Sequence, residues 1–282
     1  MTEAQLIERA KTGDPDAFAQ LYTPMERPLA AFLYRLIAAR SDAEDLAQEI
    51  AIRALEGIGA FPGASLFRAW LFRLAFEAAV EYLRDRPCWH PDAQIRAGRA
   101  LGSNRAASRR LQVLHDSRLN TIYDLREHID FCFTCMGRTV PAHEQAALLL
   151  VEVHGLSPEE AGQALGIAAE AVRFRVAQAR QVLAGHFESR CSLIHRGGDC
   201  SECASLHALL HRDRRKTEQA LFEIELAPQA TPEARAATLD IRLAIIRSID
   251  PLHAQGHKLH ESWMPSVTGA GVAAPSPPPS GP

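Results

Sequence analysis

The sequence predicts an all-α protein, and three observations carry that expectation. Ala, Leu, Arg and Glu are abundant, while β-branched and aromatic runs are few. Apolar residues recur at three- and four-residue intervals through several segments, which is the spacing of one helix face. Helix-start and helix-stop residues bracket those segments: Ser or Asp, then Pro or Glu, at the beginnings, and Gly at the ends. At 282 residues the chain is long enough for about two domains. No apolar run approaches the roughly 20 residues needed to cross a bilayer. The first residues, MTEAQLIERAKTGD, lack the basic-then-apolar order of a secretory signal, so a cytoplasmic location is expected, away from the membrane.

From the N-terminus, Gly13-Asp14-Pro15 reads as a turn opening a helical bundle. Ser41 to Glu56 opens with a Ser41 to Glu44 capping box and turns Ala43, Leu46, Ala47, Ile50 and Ala54 to one face. Asp45, Gln48, Glu49 and Arg53 stay outside. Phe61-Pro62-Gly63 breaks the chain before a long helix from about Ser65 to Arg86, in which Leu66, Trp70, Leu74 and Ala78 form an apolar row and Trp70 is expected to be buried. Residues 88–123 are rich in arginine, interrupted by Pro91, Gly98 and Gly102, and predict a basic, mostly flexible linker. A further helix is expected over YDLREHIDFCFTCMGR, which begins at Tyr123.

Leu156 to Leu183 predicts two short helices around a glycine turn, the pattern of a helix-turn-helix DNA reader. Ser157, Pro158 and Glu160 combine a hydroxyl N-cap, a proline at the first helical position and a capping box. Gly166 supplies the permissive backbone for the exit, and Ile167 fills the corner. Val172, Val176, Ala179 and Leu183 give the second helix its buried stripe, which turns Phe174, Gln178 and Gln181 outward with Arg173, Arg175 and Arg180 beside them. Polar tips suit base edges and guanidiniums suit phosphates.

Three stretches occur in a telling order: Asp42-Ala43-Glu44-Asp45-Leu46-Ala47-Gln48-Glu49, then Phe67-Arg68-Ala69-Trp70-Leu71-Phe72-Arg73, then Val140-Pro141 with the helix-turn-helix. Together they resemble the extracytoplasmic-function (ECF) sigma factors, a branch of the sigma-70 family of bacterial RNA polymerase. Leu6 to Ala10 followed by Gly13 to Phe18 is similar to the same family. The resemblance implies region 2 over residues 1–87, binding core polymerase and the minus-ten element, and region 4 over 124–188. It further implies a non-catalytic initiation subunit, with the β′ and β subunits of core polymerase and promoter DNA as partners and an anti-sigma factor as a further candidate. Asp45, Gln48 and Glu49 would dock on a β′ coiled coil, and Arg68, Arg73 and Arg84 would meet nucleic acid. The formal net charge of −3 suits this better than solitary DNA binding, because a large partner then supplies much of the attraction to phosphate. One departure stands out: Phe76 and Glu77 follow the Arg-Leu-Ala step where relatives carry a basic residue and an asparagine, and Glu81 and Asp85 extend an acidic row. Either that row pairs with Arg73 and Arg84, or melting is differently specified.

Six cysteines are unexpected. Cys132 and Cys135 form one CxxC and Cys200 and Cys203 another, while Cys88 and Cys191 stand apart. His128, Cys132 and Cys135 share a helix face at i, i+4 and i+7, which is ligand geometry, so the leading expectation is one zinc ion closed by four of His128, Cys132, Cys135, Cys191, Cys200 and Cys203, the two CxxC pairs first among them. A redox dithiol and plain buried thiols are the alternatives. A Cys-containing extension covers 189–227, and 228–282 holds a helix-like stretch from Pro232 to Ile249 before a Pro, Ser and Gly tail expected to be disordered. Phe174, a large ring at the apex of the reading helix, is expected either to touch a thymine methyl or to dock on His207 to Ala227. Two rival functions remain open here. One is a free-standing metal- or redox-responsive regulator. The other is a zinc enzyme, which no HExxH, Walker loop or dinucleotide fingerprint supports.

Overall fold

The structure, a computed structural model, describes residues 1–63, 66–86, 88–93, 95, 125–191 and 232–254. The elements described are helical throughout: α1 Glu3–Lys11, α2 Pro15–Ile37, α3 Arg40–Gly57, α4 Phe67–Leu83, α5 Leu125–Gly137, α6 Ala142–Leu148, α7 Pro158–Leu165, α8 Ala169–Arg190 and α9 Pro232–Arg247.

Local chemistry sets most of the boundaries. The Asp14 carboxylate accepts hydrogen bonds from the amides of Asp16 at 3.0 Å and Ala17 at 3.1 Å, and Pro15 follows at the first helical position, so α2 starts where the turn predicted. The expected capping box at Ser41 does not form. Ala38 takes a left-handed conformation with φ 57°, and α3 begins at Arg40 behind an N-cap alanine that makes no side-chain bond. The two-residue reversal between α2 and α3 starts the helix two residues early, which puts Ser41 inside the first turn. The box at Ser157 does form. The Ser157 amide donates to Glu160 Oε2 at 2.6 Å, and the Glu160 amide donates to Ser157 Oγ at 3.2 Å. Gly166 closes α7 with φ 67°, a left-handed turn that strains any side chain.

α1 to α4 form an N-terminal bundle around Leu29, Phe32, Leu33, Leu36, Ile50, Leu71 and Phe72. α6 to α8 form a second, smaller unit in which Leu148, Leu149, Leu156, Ala161, Val172, Ala179 and Leu183 are buried. A wide π turn over Leu149–Val153 extends α6 and delivers His154 inward.

The two units lie against each other and share one core. α4 packs on α7, and α2 packs on α5. His154 sits in this seam between the rings of Phe32, 5.8 Å away, and Phe72, 4.9 Å away. Arg35 of α2 and Asp130 of α5 form a buried ion pair at 2.8 Å. Gln145 Nε2 donates to the Arg35 carbonyl at 2.5 Å. The patterns of α5 and α7 alone do not reveal the seam, because each presents an apolar face that a partner helix from either unit could cover.

α9 and the residues after it strap both units together. Arg35 Nη2 donates to the carbonyls of Ile246 at 3.1 Å and Ile249 at 3.0 Å, and Arg40 donates to those of Pro251 and Leu252. Leu239, Leu243 and Ile246 complete the core at that end.

Candidate nucleic-acid interface

α7, the Gly166 turn and α8 hold the reading helix of the smaller unit. Val172, Ala179 and Leu183 are buried, so the helical period forces Phe174, Gln178 and Gln181 outward, and all three are exposed. Phe174 is 64% exposed. The segment His207 to Ala227, its suggested dock, lies outside the described residues. The flanking arginines are held by carboxylates: Arg173 by Glu159 at 2.8 Å, Arg175 by Glu144 at 3.1 Å, and Arg180 by Glu152 at 3.0 Å and by Asp240 of α9. These are exposed or half-exposed pairs, each contributing roughly 0–1 kcal/mol, so phosphate can displace the carboxylates at little cost.

In the larger unit, Asp45, Gln48 and Glu49 are exposed along α3, with Glu49 paired to Arg53 at 2.5 Å. Ile52 and Leu55 stand beside that row, 58% and 50% exposed. Sequence reasoning missed them, although both lie off the predicted buried stripe. On α4, Arg73 pairs with Glu77 at 2.9 Å, and Arg84 lies 3.8 Å from Glu81. Glu77 and Glu81 thus each have an arginine of their own helix beside them. Arg73 and Arg84 are exposed, whereas Arg68 is half-buried and donates to the His154 carbonyl in the seam. Trp70 is half-buried against Phe61 and Phe67 rather than fully buried.

Among the thiols, Cys132 and Cys135 are buried on α5, and Cys191 ends α8 with Arg242 Nη2 at 3.1 Å. Cys200 and Cys203 lie outside the described residues. Among the described residues, no group of three or more His, Cys, Asp or Glu side chains is placed to hold a metal ion. No helix among them is long and apolar enough to cross a membrane.

Comparison with known proteins places this geometry. The sigma-70 region 2 family matches residues 21–87, and the sigma-70 region 4 family matches residues 131–183. The chain carries regions 2 and 4 of the sigma-70 family, in that order. It is 29% identical over 183 residues to the RNA polymerase sigma-H factor of Pseudomonas aeruginosa, covering 64% of this chain and 91% of that protein. To the ECF RNA polymerase sigma-E factor of Haemophilus influenzae it is 29% identical, covering 65% and 94%, and to that of Escherichia coli 27%, covering 65% and 93%. Among solved structures it is similar to CnrH in complex with the cytosolic domain of CnrY, with TM-score 0.46, 22% identity, and coverage of 65% of this chain and 95% of that one. A second is RpoE with the anti-sigma factor NepR from Bartonella quintana, with TM-score 0.42, 21% identity, and coverage of 61% and 96%. The region 2 match thus runs from within α2 through α4, and the region 4 match from within α5 into α8.

Proposed function

We propose that this chain is the promoter-specificity subunit of a bacterial RNA polymerase, directing the core enzyme to particular start sites without catalysis of its own. One observation carries the proposal: region 2 and region 4 occur in family order, and region 4 presents an exposed reading stripe flanked by arginines. Asp45, Gln48 and Glu49 are the proposed contacts with the β′ subunit. Their support is exposure next to Ile52 and Leu55, an apolar pair beside a polar row, as protein interfaces require. Arg173, Phe174, Arg175, Gln178, Arg180 and Gln181 are the proposed region 4 contacts with DNA, and Arg68, Arg73 and Arg84 those of region 2. Arg68 reaches nucleic acid only if the seam opens, since it now serves the His154 carbonyl. An anti-sigma factor is a further proposed partner, on family membership alone.

A zinc or thiol control is also proposed. Its support is two CxxC pairs in one chain, with Cys132 and Cys135 buried one helical turn apart. Cys132, Cys135, Cys200 and Cys203, or His128 in place of one of them, would supply the donors, and soft thiolates favour zinc. Bound metal would pin the extension to α5 and contribute folding energy.

The deciding experiment is run-off transcription with purified core polymerase, paired with elemental analysis of the purified chain. Initiation at a defined promoter only when the chain is added supports the sigma role. Promoter binding without core would move the assignment to a free-standing regulator. Less than a tenth of an equivalent of metal in a chain with reduced thiols would end the zinc assignment.

A further inference from the structure

The outward stripe of α8 carries an unusual pair of readers. A phenyl ring in water is costly, because burying a side chain of that size gains roughly 1.5–3 kcal/mol. Phe174 is nevertheless 64% exposed, with the charged heads of Arg173 and Arg175 drawn aside by Glu159 and Glu144. Its neighbour one turn on is Gln178, also exposed, with the small Ala177 between them leaving the approach open. A ring at this place can make neither a hydrogen bond to a base edge nor an ion pair with phosphate. What it can cover in the major groove is an apolar group, and the only one there is the C5-methyl of thymine. A glutamine amide, by contrast, matches the N6 donor and N7 acceptor of adenine with both of its ends at once.

We infer that α8 reads a thymine methyl through Phe174 and an adenine through Gln178. Phe174 and Gln178 are four residues apart, about 6 Å along a helix rising about 1.5 Å per residue. Base pairs rise about 3.4 Å, so the two bases lie within two steps of each other. The order follows the helix, whose N-terminal end enters the groove in this motif. Phe174 lies in the second turn of α8 and Gln178 in the third. The arginines then remain for phosphate: Arg173 and Arg175 flank the ring, and the carboxylates beside them, Glu159 and Glu170 for the first and Glu144 for the second, sit where solvent reaches. This inference rests on the sigma reading and adds to it the bases that region 4 selects.

The test begins with a promoter selected from a randomised DNA library by core polymerase plus this chain. Single bases of the selected site are then replaced by analogues that differ in one group, and the dissociation constant of the holoenzyme is measured. Deoxyuridine removes only the methyl of thymine, and 7-deazaadenine removes only the N7 acceptor of adenine. One thymine should lose about fourfold in affinity on conversion to uracil, the worth of one buried methyl at about 0.8 kcal/mol. That loss should vanish in Phe174→Ala. An adenine within two steps should lose about fivefold or more with the 7-deaza base, and Gln178→Ala should abolish that difference. Both side chains are exposed, so a melting curve matching the wild type confirms that the variants are folded. Thymine–uracil discrimination that persists in Phe174→Ala, or no discriminating thymine at a site where initiation stays core-dependent, overturns the inference and leaves the sigma role intact. Absence of any core-dependent promoter overturns both.

Discussion

Replacing Arg35 with methionine removes a guanidinium that bonds α2, α5 and the C-terminal segment together. Its Nε and Nη2 donate to Asp130 Oδ1 at 3.0 and 2.8 Å, and Nη2 also reaches the carbonyls of Ile246 and Ile249. Arg35 is 2% exposed and Asp130 0%. The single substitution therefore takes from the buried Asp130 carboxylate the guanidinium that donates to it twice, and breaking a buried pair by removing one member costs about 3–5 kcal/mol. At a urea slope of about 2 kcal/mol per molar the midpoint falls by roughly 2 M. Replacing both partners, Arg35→Met with Asp130→Leu, removes the buried charges together and should recover most of that loss, because a well-packed apolar pair matches a buried ion pair in free energy. Urea unfolding followed by circular dichroism measures all three proteins. A single variant within about 0.5 kcal/mol of the wild type, or a double variant no better than the single, would refute the assignment of this pair as the seam's main polar tie.

Burial lowers the His154 pKa to about 3, helped by the nearby Arg35 and Arg68. The unfolded chain therefore takes up this proton below about pH 6.5 while the folded chain refuses it, so stability is present above that pH and falls by about 2 kcal/mol between pH 7 and pH 5. His154→Phe should flatten that slope relative to the wild type; His143 and His186, also lowered by burial, contribute equally to both. An unchanged slope would show that His154 titrates freely. Ser157→Ala should cost about 1 kcal/mol in thermal or urea unfolding, and Ser157→Asn should cost much less, since either side-chain oxygen caps α7. Deleting residues 232–282 takes Asp240 from Arg180 and the strap from Arg35 and Arg40, and should raise the affinity of the core-bound chain for promoter DNA. Equal or weaker binding would argue against a covering role for the strap.

Much of the architecture can be read before any coordinates, and the reasons are local. Asp14-Pro15, Ser157-Pro158 with Glu160, and Gly166 specify their helix ends through caps and a left-handed turn that depend only on near neighbours. The outward stripe of α8 follows from the period of Val172, Ala179 and Leu183. Ser41 misled because the reversal at Ala38, a tertiary constraint, overrode a good local cap. The roles of Arg35 and His154 are hidden for a different reason. Each lies in a mainly apolar run, LAAFLYRLI and LLLVEVHG, and a polar residue there signals a buried partner without saying which one. That partner is 95 residues away for Arg35. No pattern within one helix encodes that distance.

The strap and the promoter draw on the same side chain, and this has a quantitative consequence. Arg180 spends Nη1 on Glu152 and Nη2 on Asp240, and Arg247 shares Glu152 at 3.2 Å. A DNA phosphate needs those same donors, so occupancy by DNA and by Asp240 exclude each other. Exposed ion pairs contribute at most about 1 kcal/mol, so Asp240→Ala alone should raise DNA affinity no more than about fivefold. The larger hold lies in the buried Leu243 and Ile246 and in Arg242, stacked 4.2 Å over the Phe187 ring, and Leu243→Asp should therefore release the strap far more completely. Linkage makes the effect reciprocal: whatever factor strap removal adds to DNA affinity, bound DNA must take from strap docking. Limited trypsin digestion of the holoenzyme, scored at Arg242 and Arg247, reads the second half of that cycle. Cleavage there should rise with saturating promoter DNA by the factor that deletion adds to affinity, and cleavage indifferent to DNA would break the coupling.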